Sequence, residues 1–299
     1  MSRIVAVFLA LILPGFAWGQ IKVDKTAEVK AQQTAATEKL AKAGLKKTTV
    51  VETSDLVIYS TWPEAKVKSL AAGVQKVYEL THKSLKFEKA DTLWAGKLTV
   101  FFIPERKEFN TFIRLVEQRK PDSTDTSSVQ VRGKEPYILV GVETDSKLTD
   151  ADMTTEVGEA VAEALLNIKA GVTSGVVALP GWITTGFGKL MTVRVEGNGT
   201  KLAAYKAKIR GLATKGKAAP LQAADAWAET KTKETDTVAM SVVEFLLFGP
   251  DSTKFTKVLS GFKPNDERPK PTLVQALEVA DYMPDTLDAA WKAWLAKGK

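Results

Sequence analysis

Cysteine is absent from this 299-residue chain, and histidine occurs once, as His82. The first absence excludes disulfides, thiolate metal sites and a cysteine-linked lipid anchor, so stability has to come from packing. The second leaves one imidazole for the whole molecule. A metal site with several histidine ligands is excluded, and a Ser-His-Asp triad could use only His82. The sequence also lacks a P-loop, a Rossmann glycine pattern and a G-x-S-x-G elbow, and it shows no internal repeat. After residue 19 no run is long and apolar enough to cross a membrane, which takes about 20 apolar residues. Lys plus Arg outnumber Asp plus Glu by 42 to 35, but the excess is spread without a dense basic block. Nothing pairs basic residues with interleaved aromatics, so a nucleic-acid partner is not expected.

What is present begins at the N-terminus. Arg3 precedes the apolar run Ile4–Leu13, followed by Pro14, Gly15 and the small-residue pattern Ala17-Trp18-Gly19. This is the layout of a secretory signal, expected to be cleaved after Gly19 to leave Gln20 first. The expected location is therefore outside the cytoplasm, secreted or in the periplasm or cell envelope. Residues 20–50 are rich in Ala, Thr, Gln and Lys and poor in large apolar groups. They read as a linker or loose helix, with the folded domain, 51–299, starting near Val50.

Within that domain the first half alternates. Leu56–Tyr59, Lys97–Ile103, Ser128–Arg132 and Tyr137–Val142 read as strands. A helix is expected to open at Thr61 as N-cap, with Glu64 as its capping-box partner and Pro63 in the first turn. Phe109, Phe112, Ile113 and Val116 mark another helix, and Pro121–Ser128 a polar loop. Thr149 and Asp152 form a capping box that opens the helix through residues 153–169. From there the pattern is helical only, near 200–213, 235–248, 252–261, 272–281 and 286–297. The expected class is α+β: a small mixed or antiparallel sheet with helices in 51–195, then an all-helical subdomain, 196–299.

The stretch that carries most chemistry is EVGEAVAEALL, 156–166. At about 100° per residue, Val157, Val161, Ala164, Leu165 and Ile168 share one face. Glu156, Glu159 and Glu163 lie on the neighbouring stripe, with Glu159 and Glu163 one turn apart, so both can meet one incoming partner. Their plainest reading is a solvated acidic face, or a glutamate paired with a basic residue such as Lys189 or Arg194. A segment PGWITTGFG follows, in which Pro180 starts a helix and Trp182 anchors it in the core.

These segments, with DLVIYS, GKLTVFFIP and the late LDAAWKAWL, resemble the gluzincin-type metallopeptidases of the peptidase MA-like superfamily, and more narrowly secreted proteins with a DUF1570-type domain. The resemblance covers residues 53–296 and implies a thermolysin-like fold. In that family an HExxH helix supplies two zinc-binding histidines and a catalytic glutamate, and a P-x-W-x-x-E-G segment supplies the third ligand. Here Pro180, Trp182 and Gly186 match, while Thr185 stands at the third-ligand glutamate. One register puts Glu159 and Glu163 at the histidine positions and Ala160 at the catalytic glutamate. The other puts Gly158 and Ala162 at the histidines and keeps Glu159 as the base. Both registers stay open, and in both the zinc is expected lost.

Three functions follow as expectations. The first is an exported, catalytically inactive peptidase-like protein that binds a protein or envelope polymer, or serves a structural role. The second is a hydrolase or divalent-cation binder that uses Glu156, Glu159 and Glu163. The third is an unrelated helical envelope adaptor. His82 reads as an ordinary surface or interface residue, and Trp291 with Trp294 as core packing.

Overall fold

The computed structural model describes residues 25–88, 94, 96–130, 136–142, 148–172, 178–197, 199–214 and 233–297. The expected signal segment and cleavage point lie outside these residues. The strands LVIYS, LTVFF and YILV are buried along their whole length, which is the signature of strands covered on both faces. They form the parallel centre of a five-stranded sheet: β2 (Leu56–Ser60), β3 (Leu98–Phe102) and β5 (Tyr137–Val140). Two shorter strands, β1 (Thr49–Glu52) and β4 (Ser127–Gln130), pair antiparallel at the edges, in the order β1-β2-β3-β5-β4.

Strand alternation divides the core. Leu56, Ile58, Leu98, Val100, Phe102, Ile138 and Val140 point into one hydrophobic cluster. It is covered by α2 (Glu64–Ser84) and α4 (Asp150–Lys169) and runs on without a break through the C-terminal helices as far as Leu295. Val57, Tyr59, Phe101, Tyr137 and Leu139 point the other way, toward α1 (Lys25–Lys42) and α3 (Arg106–Phe112). The molecule is α+β with one mixed sheet, as expected, and helices cover both faces of that sheet. Between β2 and β5 the chain crosses over through α2 and α3.

Two expectations are corrected. The stretch read as a linker or loose helix contains an α-helix whose Ala36 and Leu40, with the following Ala43 and Leu45, are buried against the sheet. The fold therefore takes in α1 as well as the residues after Val50. Its Gln32 side chain also reaches the start of β3, accepting from the Lys97 N–H at 3.1 Å and donating to the Lys97 carbonyl at 3.0 Å. Second, Thr61 is not the cap of α2. The helix starts at Glu64 behind an extended Pro63 (ψ 145°) and has no side-chain cap. Tertiary contacts hold 60–62 outside the helix. Ser60 Oγ accepts from the Trp62 N–H, the Trp62 carbonyl accepts from Thr49 Oγ1, and the Trp62 ring meets Phe102 edge-on. Glu64 instead pairs with Lys68 one turn on.

Among the described residues the remaining α-helices are α5 (Gly181–Arg194), α6 (Thr200–Thr214), α7 (Lys233–Phe248), α8 (Lys254–Gly261), α9 (Leu273–Glu278) and α10 (Pro284–Ala296). α5 is wedged between α4 and α7. The wedge depends on Gly186, where a Cβ would lie 2.8 Å from both the carbonyl carbon and oxygen of Ala239 in α7.

Candidate functional site

The Thr149–Asp152 capping box forms as expected: Thr149 Oγ1 accepts from the Asp152 N–H and Asp152 Oδ2 accepts from the Thr149 N–H. It sets the start of α4 and so the direction in which each later side chain points. Val157, Val161, Ala164, Leu165 and Ile168 are buried. Ala160 is buried as well, at 6 % exposure, and Ala162 is fully buried. Gly158 packs on α2 and α5: a Cβ there would lie 3.1 Å from Val77 and 3.2 Å from the Thr192 methyl.

The glutamate stripe lies half-buried against α5. Pro180 precedes the first turn of α5, and Trp182 anchors the helix at 1 % exposure. The stripe is met at Gly188 and Lys189, one turn beyond the half-buried Thr185. At Gly188 a Cβ would lie 2.9 Å from Glu163 Cγ and 3.2 Å from the Glu159 carbonyl oxygen. A side chain there would crowd Glu163 and the Glu159 carbonyl, so the glycine eases the close approach of the two helices over the glutamates. Lys189 Nζ stands 3.4 Å from Glu159 Oε2 and 3.7 Å from Asp236 Oδ2 on α7. One ammonium thus links carboxylates from two different helices and comes from a third.

The electrostatics follow from that placement. Burial pushes the Glu159 carboxyl up to about 7; Glu156 and Asp236 push the same way and Lys189 opposes them. Burial likewise raises Glu163 to about 7, with Glu159 and Glu156 adding and Lys189 opposing. Burial alone would lower the Lys189 ammonium, but Glu159, Asp236 and Glu156 outweigh it and hold its pKa above the ordinary lysine value. The region therefore carries more carboxylates than ammonium groups and relieves the excess by keeping protons near neutral pH.

These residues do not fit zinc. Two carboxylates, a threonine and a lysine ammonium offer no imidazole or thiolate, and the ammonium already supplies the positive charge. Among the described residues no group of three or more histidine, aspartate or glutamate side chains is arranged to hold a metal ion. His82 stacks between Tyr78 at 5.9 Å and Phe87 at 5.0 Å, an interface role on α2.

Arg194 does not pair with the stripe. It donates to Glu244 Oε1 at 2.7 Å, while Tyr205 Oη donates to Glu244 Oε2 at 2.9 Å. Glu244 is 2 % exposed and joins α5, α6 and α7. Sequence reasoning missed it, although its signal is visible: a single carboxylate inside the apolar run VAMSVVEFLLF. Trp291 is fully buried and donates to Ser241 Oγ at 3.0 Å, and Trp294 packs on Phe245, so the pair is core.

Neither a protein-family model nor a curated protein matches the chain. Among the described residues no helix is long and apolar enough to cross a membrane.

Proposed function

We propose that the chain is an exported protein on a gluzincin-type peptidase scaffold whose metal site has given way to an internal ion pair, and that it acts as a binding or structural module in the cell envelope. The single observation that carries this reading is Lys189, seated between Glu159 and Asp236. A lysine ammonium there takes the place of a bound cation without offering an open coordination position for water or substrate. The side-by-side packing of α4 and α5, the Pro180 start and the Trp182 anchor support the scaffold part. The same packing favours the register with Glu159 and Glu163 at the ligand positions, because Gly158, Ala160 and Ala162 lie within the core packing. The signal-like N-terminus supports export, and the partner would be a protein or an envelope polymer.

The test is metal analysis of the purified mature chain combined with a peptide-library digest. The expected result is substoichiometric zinc and no cleavage. Stoichiometric zinc with cleavage overturns the reading.

A second reading has one observation in its favour: Glu159 and Glu163 lie one turn apart on α4, half-buried together against α5, and burial raises both carboxyls, as suits an acid/base pair. Ion-pair networks perturb carboxylates in the same way. Hydrolysis of a peptide or glycan panel that is lost in both Glu159→Gln and Glu163→Gln would favour it over the inactive module.

A further inference from the structure

A cleft of about 500 Å³ opens at the other end of the α4–α5 pair, where α2, the first turns of α4, the last turn of α5 and the start of α6 meet. It lies in the size range of small-molecule sites, roughly 300–1,000 Å³. Its walls carry three threonines, Thr154, Thr155 and Thr192, and two lysines, Lys76 and Lys201. Each threonine hydroxyl gives its proton to its own helix: Thr154 to the Asp150 carbonyl at 2.9 Å, Thr155 to the Ala151 carbonyl at 3.1 Å, and Thr192 to the Lys189 carbonyl at 2.9 Å. Their oxygens are left as acceptors only. The donors at the cleft are the Ser69 hydroxyl and two ammonium groups, and the Glu196 carboxylate also lines it. Lys201 is shared with Glu196 at 2.9 Å, while Lys76 has no ion pair among the described residues. Ala72, Val77 and Val195 add an apolar surface beside them. Close approach beneath the cleft depends on Gly73, where a Cβ would lie 2.5 Å from the Thr154 methyl.

We propose that this cleft binds a hydroxyl-bearing organic anion of saccharide size, an acidic sugar. Its carboxylate is drawn to Lys76, its hydroxyl protons go to the threonine oxygens, and its C–H face lies on Ala72, Val77 and Val195. A simple inorganic anion would leave the threonine oxygens and the apolar surface unused, and a neutral sugar would leave Lys76 unused. The inference stands on the cleft's own walls and does not depend on the peptidase ancestry proposed above. Zinc content and peptide cleavage do not bear on it.

The experiment is titration of the full mature chain with D-glucuronate, followed by amide NMR shifts and calorimetry. D-glucose, acetate and inorganic phosphate serve as comparison ligands. The expected result is saturable shifts confined to α2, α4, α5 and α6 around the cleft, with the three comparison ligands weaker. Lys76→Gln and Thr155→Val should each weaken glucuronate about tenfold with unchanged thermal melts. Both positions are on the protein surface or half-buried, so folding is not at stake. Absence of saturable binding overturns the proposal. So do phosphate or acetate binding as tight as glucuronate, and variants that leave the affinity unchanged.

Discussion

Glu163 holds its proton to about pH 7, against an ordinary value of 4.5, because α5 covers it and Glu159 and Glu156 stand beside it. The folded state therefore binds that proton more tightly than the unfolded chain. As pH rises from about 4.5 toward about 7, unfolding releases the proton and folding becomes less favourable. The loss is complete above the folded value, so this group makes the protein more stable in mild acid than at pH 8. Glu159 shares Lys189 and has the same direction of shift, so the window belongs to the pair. Glu163→Gln should flatten the dependence of Tm on pH and raise stability at pH 8 by on the order of 1–2 kcal/mol, kept modest by partial exposure. A Tm that rises between pH 5 and 8 in the parent chain would contradict this. Glu244 is a different case. It is enclosed with Arg194 and Tyr205, so Glu244→Ala strands a guanidinium and should cost about 3 kcal/mol in a urea titration. A cost under about 0.5 kcal/mol would show that the three-helix junction does not depend on the pair. The glutamate stripe is legible from helical spacing, and Lys189 is one of the two basic residues, with Arg194, that the sequence offers as its partner. That Arg194 goes instead to Glu244 was not legible, because the choice is made by the packing of α7, far along the chain.

At the level of elements, caps and periodicity carried most of the information. The helices after residue 180 lie within a few residues of their expected positions, and the Thr149–Asp152 box forms as read. The errors have a common cause in contacts from outside the segment. Thr61 has the right spacing to Glu64 for a capping box, but the Thr49 hydroxyl and the Phe102 ring hold Trp62 in the turn after β2. β1 has only four residues and alternates between half-buried and exposed, too short for a period-2 signal. The α5–α7 contact gives a direct test of the wedge. Gly186→Ala places a methyl against the Ala239 carbonyl, and backbone cannot rotate aside as a side chain would. The variant should lose about 1–3 kcal/mol despite the higher helix propensity of alanine. A thermal melt equal to or above that of the parent would mean that α7 shifts freely.

For the whole molecule the question is where the fold begins. The first helix looks dispensable in sequence because its core residues are alanines and one leucine, which raise no hydrophobic stripe. Yet the sheet has two faces, and the second carries Tyr59, Phe101 and Tyr137, which join Phe112 in a chain of tilted and edge-on ring contacts. An aromatic face of that kind needs a cover, and a small-residue helix can lie close to it. Gln32 adds direction, since its amide accepts from the N–H of Lys97 and donates to the carbonyl of the same residue. A chain truncated to begin at Thr48 keeps every strand but loses Ala36, Leu40, Ala43 and Leu45 from this cluster. At about 25 cal/mol per Å² of apolar surface, exposing the cluster should cost several kcal/mol. The truncated chain is expected to melt at a clearly lower temperature and to bind a hydrophobic dye that the parent ignores. If it melts with the parent and binds no dye, α1 is an appendage and the second core cluster is sustained by α3 alone.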